Sequence, residues 1–289
     1  MDKILITGAT GNVGLSAVRF LLSQQEQDYK VVAAVRDIEQ AKKLEGIGKA
    51  ELVKFEFDEP RTYSAALEGV SKLLLIRPNQ VSDVSKHIFP FLDKVEKSQV
   101  KHLVFVSIVG AERNRIFANH RIETHLKKMN IPHTIIRPSL YMQNLITLHA
   151  KEIRKNDHLY VPAGNGMVNY IDARDVARVA VEILTKPGHE GKDYEITGPE
   201  PMDFYKIASL FTKELGREIR YARPVTIRFI RQKMLEKKEM PFILTLSLLY
   251  GAARNGKMGH ISDAFKEITG CEPRNLADFI HENRKIWEK

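Results

Sequence analysis

The sequence predicts an α/β fold in which a doubly wound parallel sheet is followed by a smaller, mainly helical lobe. Short apolar segments alternate with amphipathic segments of helical length through the first half of the chain. The first of these apolar segments runs directly into a turn with regularly spaced glycines. Beyond about residue 145 the alternation becomes less regular. Strict alternation of this kind is typical of a parallel sheet that helices cover on both faces.

Six segments have the length and the apolar composition of buried strands. They are Lys3 to Thr7, Lys30 to Val35, Glu51 to Phe57, Lys72 to Ile76, His102 to Ser107 and His133 to Arg137. Right-handed crossovers bring the carboxyl ends of such strands to one edge, where doubly wound sheets bind their ligands. We therefore expect six residues at that edge: Gly8, Arg36, Asp58, Arg77, Ser107 and Pro138.

We interpret the second half of the chain as a substrate-binding lobe. It contains a helical segment from Arg174 to Leu184, a strand from Tyr194 to Thr197, and further helical segments such as Pro241 to Arg254. We predict a sheet domain over residues 1–145 and a mixed, mainly helical lobe over residues 146–289. Because no low-complexity linker separates them, the lobe is expected to pack on the sheet, which can receive later strands.

Composition indicates an ordinary cytoplasmic protein without a membrane partner. The 289 residues are 43% hydrophobic, and no run approaches the roughly 20 apolar residues of a membrane span. Cys271 is the one cysteine, so an intrachain disulfide and a thiolate metal cluster are excluded. The net charge of +9 is spread along the chain, with a denser stretch from Arg223 to Lys238. Helical spacing from Thr226 to Leu235 favours a solvated helix face over a nucleic-acid or membrane contact.

The glycine-spaced turn is the clearest functional signal. Gly8, Gly11 and Gly14 follow the first strand with the spacing G-x-x-G-x-x-G and precede a helical segment. Glycine permits a tight turn and a close approach to phosphate, and a helix N-terminus offers free N–H groups to an anion. Together with the strands on either side, the turn predicts a Rossmann-type site for the pyrophosphate of a dinucleotide.

Arg36 at the end of the second strand favours NADP(H), although NAD(H) stays possible. A guanidinium there pairs bidentately with a 2′-phosphate, whereas the ribose hydroxyls of NAD usually bind an acidic side chain. The adjacent Asp37 either contacts a ribose hydroxyl or caps the following helix, and capping is favoured. Asp58 at the end of the third strand either contacts the adenine or starts the next turn.

The chain resembles the NmrA-like atypical short-chain dehydrogenases over nearly its whole length. The segments that carry the resemblance are Ile6 to Gly14, Val35 to Asp37, Leu103 to Ser107, Ile135 to Pro138, Tyr141 to Asn144, Asp172 to Ala177, Tyr194 to Pro199, Leu215 to Arg217 and Thr269 to Arg274. The family includes NADPH quinone oxidoreductases, triphenylmethane-dye and azo-dye reductases, and regulators that bind the nucleotide without obvious turnover.

The resemblance implies a set of cofactor contacts. They are Gly8, Ala9, Thr10, Gly11, Asn12, Val13, Arg36, Ile76, Arg77, Pro78, Ser107, Pro138, Tyr141 and Asn144. The last three belong to a loop that the resemblance places near the nicotinamide. Asn144 forms a hydrogen bond either with the carboxamide of the nicotinamide or with the start of a helix. Some reductases of this group have a lysine four residues after the arginine, where this chain has Gln40, so part of the 2′-phosphate clamp differs.

The usual proton-transfer pair of short-chain dehydrogenases is missing. Where the family pattern has Tyr-x-x-x-Lys, this chain has Phe117-Ala118-Asn119-His120-Arg121. Phenylalanine has no proton to give, so ordinary alcohol and ketone chemistry is disfavoured. An electron-poor acceptor such as a quinone needs less help, because water or a weak donor can protonate the developing oxyanion.

His120, Tyr141 and, more distantly, Tyr170 are the candidate proton donors. An ordinary helix-face pair of His120 with Glu123 is the favoured alternative for the histidine, and a pocket-lining role is the favoured alternative for Tyr141. A metal site is not expected, because His120, Glu123 and His125 do not converge on one helix face.

Two functions follow from these observations. The first is an NADPH-dependent oxidoreductase that transfers hydride to a quinone or similar small-molecule electron acceptor. The second is a non-catalytic NADP(H)-binding redox sensor that acts through a protein partner. No nucleic-acid partner is expected, and the chain is expected to be a monomer or a homodimer.

Overall fold

The computed structural model describes residues 2–24, 28–42, 46–78 and 81–289. Two short 3₁₀ helices lie at Pro60–Thr62 and Arg284–Ile286. The strands are β1 (Asp2–Ile6), β2 (Tyr29–Val35), β3 (Glu51–Lys54), β4 (Val70–Ile76), β5 (His102–Val106), β6 (His133–Pro138), β7 (Leu140–Tyr141), β8 (His158–Tyr160), β9 (Val168–Ile171), β10 (Asp193–Ile196), β11 (Pro201–Met202) and β12 (Arg220–Ala222). The α-helices are α1 (Asn12–Ser23), α2 (Ile38–Lys42), α3 (Tyr63–Ala66), α4 (Val84–His87), α5 (Phe89–Glu96), α6 (Ala118–Leu126), α7 (Gln143–Thr147), α8 (Ala150–Asn156), α9 (Ala173–Thr185), α10 (Phe204–Leu215), α11 (Thr226–Leu235), α12 (Met240–Arg254), α13 (Ala264–Thr269) and α14 (Leu276–Glu282).

The main sheet has seven strands in the order β10-β6-β5-β4-β1-β2-β3. Neighbouring strands from β6 to β3 pair in parallel. Strand β10 runs the same way, because Ile135 N donates to Lys192 O and Ser139 N donates to Ile196 O. The predicted doubly wound parallel sheet is confirmed. The chain builds β1, β2 and β3 in one direction and then crosses to β4, so its switch point lies between β1 and β4.

Five of the six predicted strands have the expected bounds to within two residues. The third was predicted to reach Phe57 but ends at Lys54. Strand β3 is an edge strand, and Phe55 and Phe57 leave it to pack edge-to-face at 4.8 Å between ring centroids. Both rings also pack edge-to-face against Phe91 in the core beside the sheet. Phe55 N still donates to Val35 O at 2.9 Å, so aromatic packing replaces strand pairing only beyond Phe55.

The chain divides into two compact units. The first comprises Met1–Pro138, Ala173–Glu195 and Glu267–Thr269, and the second comprises the remaining segments. Helix α9 and residues Asp193 to Glu195 thus return to the first unit after an excursion into the second. The predicted boundary near residue 145 stays a prediction, because compactness does not show which segments fold alone.

The second unit contains two small sheets and several helices. Strand β9 pairs with β7 in parallel and with β11 in antiparallel orientation, and β8 pairs with β12 in parallel. These strands have two to four residues each, which is too short for a periodic sequence signal. Within the described part of the chain, none of the helices has the length and apolar character needed to cross a membrane.

Helix α11 has the predicted bounds, but its face is not entirely solvated. Lys233 is buried, and its Nζ donates to Glu152 Oε1 at 2.7 Å and to Leu148 O at 2.8 Å. His149 Nδ1 lies 2.9 Å from the other carboxylate oxygen of Glu152. The expectation of a fully solvated basic face is therefore wrong at Lys233, because a buried carboxylate from another helix neutralises it.

Helix α1 begins very close to the turn that precedes it. It packs against α9 and buries Val13, Ala17 and Leu21. A Cβ atom at Gly14 would lie 2.2 Å from the carbonyl oxygen of Gly8 and 2.7 Å from its carbonyl carbon. Since both are main-chain atoms, no side-chain rotation can relieve the clash. Glycine at position 14 is thus required for this approach of helix and turn.

Replacing Gly14 by alanine is expected to lower the free energy of unfolding by about 1–3 kcal/mol, as overpacking against main chain does. Gly251→Ala is the matched control, because Gly251 also lies in a helix and a Cβ atom there meets nothing within 4 Å. The control is expected to be neutral or to stabilise by up to about 1 kcal/mol. Urea denaturation followed by circular dichroism measures both, and equal stability of Gly14→Ala and the unsubstituted protein would contradict the packing argument.

Candidate functional site

Thr7 joins the two strands at the switch point. Its side chain is buried. The hydroxyl Oγ1 accepts a hydrogen bond from Ile76 N at 2.8 Å and donates one to Ile76 O at 3.1 Å. The main-chain N–H of Thr7 donates to Leu74 O at 3.0 Å. These bonds fix the end of β1 against the end of β4. They therefore set the position of the glycine turn that follows.

The glycine turn presents the N-terminus of α1 at the carboxyl edge of the sheet. Gly8 has φ of +61°, a left-handed conformation that favours glycine, and Gly11 N donates to Gly8 O at 2.9 Å. Gly11 is the N-cap and provides no side-chain cap, and the first turn of α1 has no acidic residue. Thr10, Gly11 and Asn12 are exposed. The first N–H groups of the helix therefore remain available to an anion.

Arg36 lies exposed directly after β2, beside this turn in the sheet order. Among the residues that the structure describes, none forms a hydrogen bond or an ion pair with its guanidinium. Asp37 accepts from Gln40 N at 3.0 Å through Oδ1 and so caps α2. The favoured interpretation of Asp37 as a helix cap is confirmed. Within the described part of this strand end, the Arg36 guanidinium is thus uncommitted.

Asp58 lies four residues beyond the end of β3, in the turn before the 3₁₀ helix. Its carboxylate pairs with His87 Nδ1 at the end of α4. The pair holds α4 near the end of β3. A contact between Asp58 and adenine stays a prediction.

The end of β4 packs directly against the glycine turn. A Cβ atom at Gly8 would lie 3.3 Å from Ile76 Cβ. The Arg77 guanidinium donates to Val81 O at 2.6 Å and to Asn119 Oδ1 at 3.0 Å, and it also bonds the carbonyl oxygen of Pro78 at 2.8 Å. Burial lowers the pKa of Arg77 to about 10. This value is still far above neutral pH, so the guanidinium stays charged there. These bonds fix the guanidinium against Pro78, Val81 and Asn119 of α6.

A buried ion pair lies behind the ends of β5 and β6. Arg137 Nη2 donates to Glu123 Oε2 at 2.7 Å and to Asp193 Oδ2 at 2.7 Å, and its Nε lies 3.1 Å from Glu123 Oε1. The Ser107 hydroxyl donates to the same Glu123 oxygen at 2.5 Å. Arg137, Glu123 and Ser107 are all buried. The sequence reasoning missed this network, although an arginine within an apolar strand is a signal for a buried partner.

The network shifts the pKa values of Arg137 and Asp193. Burial would lower the pKa of Arg137, but its hydrogen bonds to Glu123 and Asp193 outweigh burial and raise it. For Asp193, burial raises the pKa, and the bonds to Arg137 outweigh that effect and lower it. All these contacts involve β6, α6 and β10. The ion pairs therefore fix α6 against the carboxyl half of the sheet.

The expected pair of His120 with Glu123 is wrong, because Glu123 faces inward to Arg137. His120 Nδ1 instead lies 2.8 Å from the carbonyl oxygen of Ala111. Phe117 is buried at the start of α6, and Arg121 is exposed and bonds the Ser85 hydroxyl. Neither side chain offers the proton chemistry of a tyrosine and lysine pair. In the described ranges, His, Cys, Asp and Glu side chains form no group of three that could hold a metal ion.

The remaining candidate residues belong to the second unit, apart from Pro138 at the end of β6. Tyr141 in β7 is partly buried, and burial raises the pKa of its phenol. Asn144 is the second residue of α7, whose N-cap is Met142, so Asn144 does not cap the helix. Burial also raises the pKa of Tyr170 in β9. The contacts of Pro138, Tyr141 and Asn144 with a cofactor stay predictions, as do catalytic roles for His120 and Tyr141.

The fold agrees with comparisons to known proteins. The model of the NmrA-like family matches residues 1–284. The chain belongs to the NmrA-like family. It is 33% identical over 282 residues to an NAD(P)H azoreductase of Xenophilus azovorans, with 96% of both chains covered. It is also 27% identical over 221 residues to quinone oxidoreductase 2 of Escherichia coli, covering 75% of this chain and 76% of that one.

Solved structures share the fold. An NADPH-dependent quinone oxidoreductase of Escherichia coli complexed with NADPH has a TM-score of 0.86 at 23% identity, covering 97% of this chain and 99% of that one. Triphenylmethane reductase of Citrobacter sp. complexed with NADP(H) has a TM-score of 0.82 at 23% identity, with the same coverage. The negative transcriptional regulator NmrA in complex with NADP has a TM-score of 0.77 at 15% identity, covering 99% and 96%. The expected family and the expected α/β fold are confirmed.

Glu123→Gln is expected to lower the free energy of unfolding by about 3 kcal/mol, because it breaks a buried ion pair while Asp193 keeps part of the charge balance. Glu59→Gln is the control, since Glu59 pairs with Arg61 at the surface and its loss should change stability little. Urea denaturation at neutral pH measures both variants. Equal effects of the two substitutions would contradict a structural role for the buried pair.

Asp193→Asn is expected to alter the pH dependence of stability in acid. Because the folded pKa of Asp193 lies below the ordinary 3.8, its contribution is fully present above about pH 4 and is lost as pH falls through the folded value. The variant should be less stable than the unsubstituted protein at pH 7, and the difference should shrink below pH 4. Unfolding free energies measured from neutral pH into acid test this, and a difference that stays constant in acid would count against it.

Proposed function

We propose that the chain is an NADPH-dependent oxidoreductase that transfers hydride to a quinone or a similar electron-poor conjugated acceptor. The observation that carries the proposal is the exposed Arg36 guanidinium, which has no partner among the described residues and follows β2 next to the glycine turn. A guanidinium in that place suits the 2′-phosphate of NADP(H).

The residues of the first unit fit this cofactor. The N-terminus of α1 offers main-chain N–H groups to the pyrophosphate, and no acidic side chain in its first turn opposes an anion. Asp37 is committed to capping α2, so it does not compete for Arg36. NAD(H) fits the same turn but would leave Arg36 without a phosphate to bind. The geometry therefore favours NADP(H) over NAD(H).

The bound nicotinamide would supply a hydride, and the chain would supply binding and orientation. The turn from Gly8 to Val13 and Arg36 would hold the phosphate groups, while Arg77 is fixed by its bonds to Val81 and Asn119. The Ser107 hydroxyl donates its hydrogen bond to Glu123, so it is not directed to a substrate as a proton donor. With Phe117 in the tyrosine position, an acceptor that takes hydride without a strong acid is favoured.

The named relatives support the same class of acceptor. The NAD(P)H azoreductase is similar over almost the whole chain, and quinone oxidoreductase 2 over three quarters of it. Azo compounds and quinones are both conjugated and electron-poor. A redox sensor is the second candidate, favoured by the absent tyrosine and lysine pair and by the likeness to the regulator NmrA in complex with NADP.

Steady-state oxidation of NADPH by the purified protein tests the proposal. A panel of quinones, azo dyes and triphenylmethane dyes is assayed, with NADH in parallel. Saturable turnover that prefers NADPH is the expected result. Measurable NADPH binding without loss of NADPH in the presence of any acceptor would contradict the reductase and favour the sensor.

Arg36→Ala is expected to weaken NADPH binding by about 10- to 100-fold, as loss of hydrogen bonds to a charged group does, while NADH binding changes little. Isothermal titration calorimetry gives both dissociation constants. The NADPH affinity of Arg36→Lys should lie between those of Arg36→Ala and the unsubstituted protein, because lysine keeps the charge but loses the bidentate geometry.

Lys97→Ala is the charge-matched control for Arg36. Lys97 is exposed between α5 and β5, at the opposite edge of the sheet, so its loss changes the net charge without touching the proposed site. The control should leave the preference for NADPH unchanged. Equal losses of NADPH and NADH affinity in Arg36→Ala would refute the assignment of Arg36 to the 2′-phosphate.

A further inference from the structure

The loop between β5 and α6 borders the part of the proposed site where hydride transfer would occur. Arg36 and the glycine turn serve the adenosine phosphates on the side of β1 and β2. The switch-point geometry of doubly wound sheets then directs the nicotinamide toward β4, β5 and β6. The loop over residues 107–117 follows β5 at the carboxyl edge. Its side chains are therefore placed to contact an acceptor, an inference that rests on the proposed function.

The loop is braced along its length. Val109 N donates to Pro138 O at 3.0 Å, and His120 Nδ1 lies 2.8 Å from Ala111 O. Near its end, the Asn114 side chain accepts from Ile116 N at 3.1 Å, an Asx-turn bond. These bonds tie the loop to β6 and to α6 and define a turn at Asn114. The residues that project from it are thus held on an ordered main chain.

Arg115 and Ile116 project from this braced turn into solvent. Ile116 is 77% exposed, so its apolar surface is open to a ligand. Arg115 is exposed and forms no hydrogen bond or ion pair with any residue that the structure describes. The nearby Arg113 differs, because its guanidinium pairs with Glu112 at 2.8 Å and with Glu195 at 3.9 Å.

The adjacent carboxylate does not compete for Arg115. Glu112 is held between two other arginines, since Arg113 pairs with it and Arg137 Nε lies 3.5 Å from its Oε2. An uncommitted arginine thus directly precedes an exposed apolar residue in the loop. A conjugated ring with an anionic substituent offers a surface for the isoleucine and a bidentate partner for the arginine.

We propose that Arg115 and Ile116 form an acceptor-binding element that prefers conjugated acceptors with a sulfonate or carboxylate substituent. The ring packs on Ile116, and the Arg115 guanidinium binds the anion. The site is solvent-exposed, so the arginine contributes a modest preference. An exposed ion pair of this kind changes affinity by about two- to fivefold, less at high salt.

Two matched azo dyes test the charge preference. Methyl orange is an azobenzene sulfonate, and its sulfonamide has the same ring system without the charge. Arg115→Gln is expected to raise KM for the sulfonate about two- to fivefold at low ionic strength and to leave KM for the sulfonamide unchanged. High salt should remove the difference between the variant and the unsubstituted protein. Arg115→Lys should retain part of the preference.

Two further variants separate the local contact from other effects. Lys97→Gln removes the same charge at the opposite edge of the sheet and should leave both KM values unchanged. Ile116→Ala should raise KM for both dyes, because both share the ring system. Thermal denaturation of each variant should match that of the unsubstituted protein, since both side chains are exposed.

Equilibrium binding of the dyes to protein loaded with NADP⁺, followed by dye absorbance, gives the same comparison without turnover. Equal effects of Arg115→Gln on both dyes, or an effect on neither, would overturn the proposal. Preferential binding of the sulfonate without turnover of any acceptor would instead contradict the proposed function while supporting the acceptor-binding element. Failure of the acceptor-binding element is thereby distinguished from failure of the proposed oxidoreductase function.

Discussion

The contact of Gly14 with the main chain of Gly8 is the constraint on which the candidate site depends. It brings the first turn of α1 against the end of β1, where Thr7 is in turn bonded to β4. Helix α1 can then direct its N-terminal N–H groups to the carboxyl edge of the sheet. A side chain at position 14 would separate helix and turn and displace those groups. The close packing of the glycine turn, Thr7 and β4 thus leaves main-chain N–H groups available to an anion without the help of a charged side chain.

The buried pair of Arg137 with Glu123 orders the other half of the same edge. It links β6, α6 and β10, and through Ser107 it also reaches the end of β5. Burying such charges costs desolvation energy, which the multiple hydrogen bonds offset. The pair gives a fixed geometry to strand ends that carry Ser107 and Pro138. It also accepts the hydrogen bond of the Ser107 hydroxyl.

The alternation of apolar segments and the spacing of three glycines were enough to predict the sheet, its direction and the turn. Local sequence did not reveal which charged residues are buried. Glu123 and Lys233 each occur at a spacing typical of a solvated helix face, yet both are buried. Their partners, Arg137 and Glu152, are 14 and 81 residues away in the sequence, so only tertiary packing could identify them. Strands as short as β7 and β11 likewise depend on their neighbours and have no pattern of their own.

Hydride transfer directly from the nicotinamide is the central claim, and a primary isotope effect tests it most directly. Flavin-free protein is mixed in a stopped-flow instrument with a quinone and either NADPH or NADPH that carries deuterium at the transferred position. Direct transfer predicts that NADPH is consumed in single turnovers and that deuterium slows this step severalfold. Absence of NADPH consumption, or consumption that requires added flavin, would contradict it.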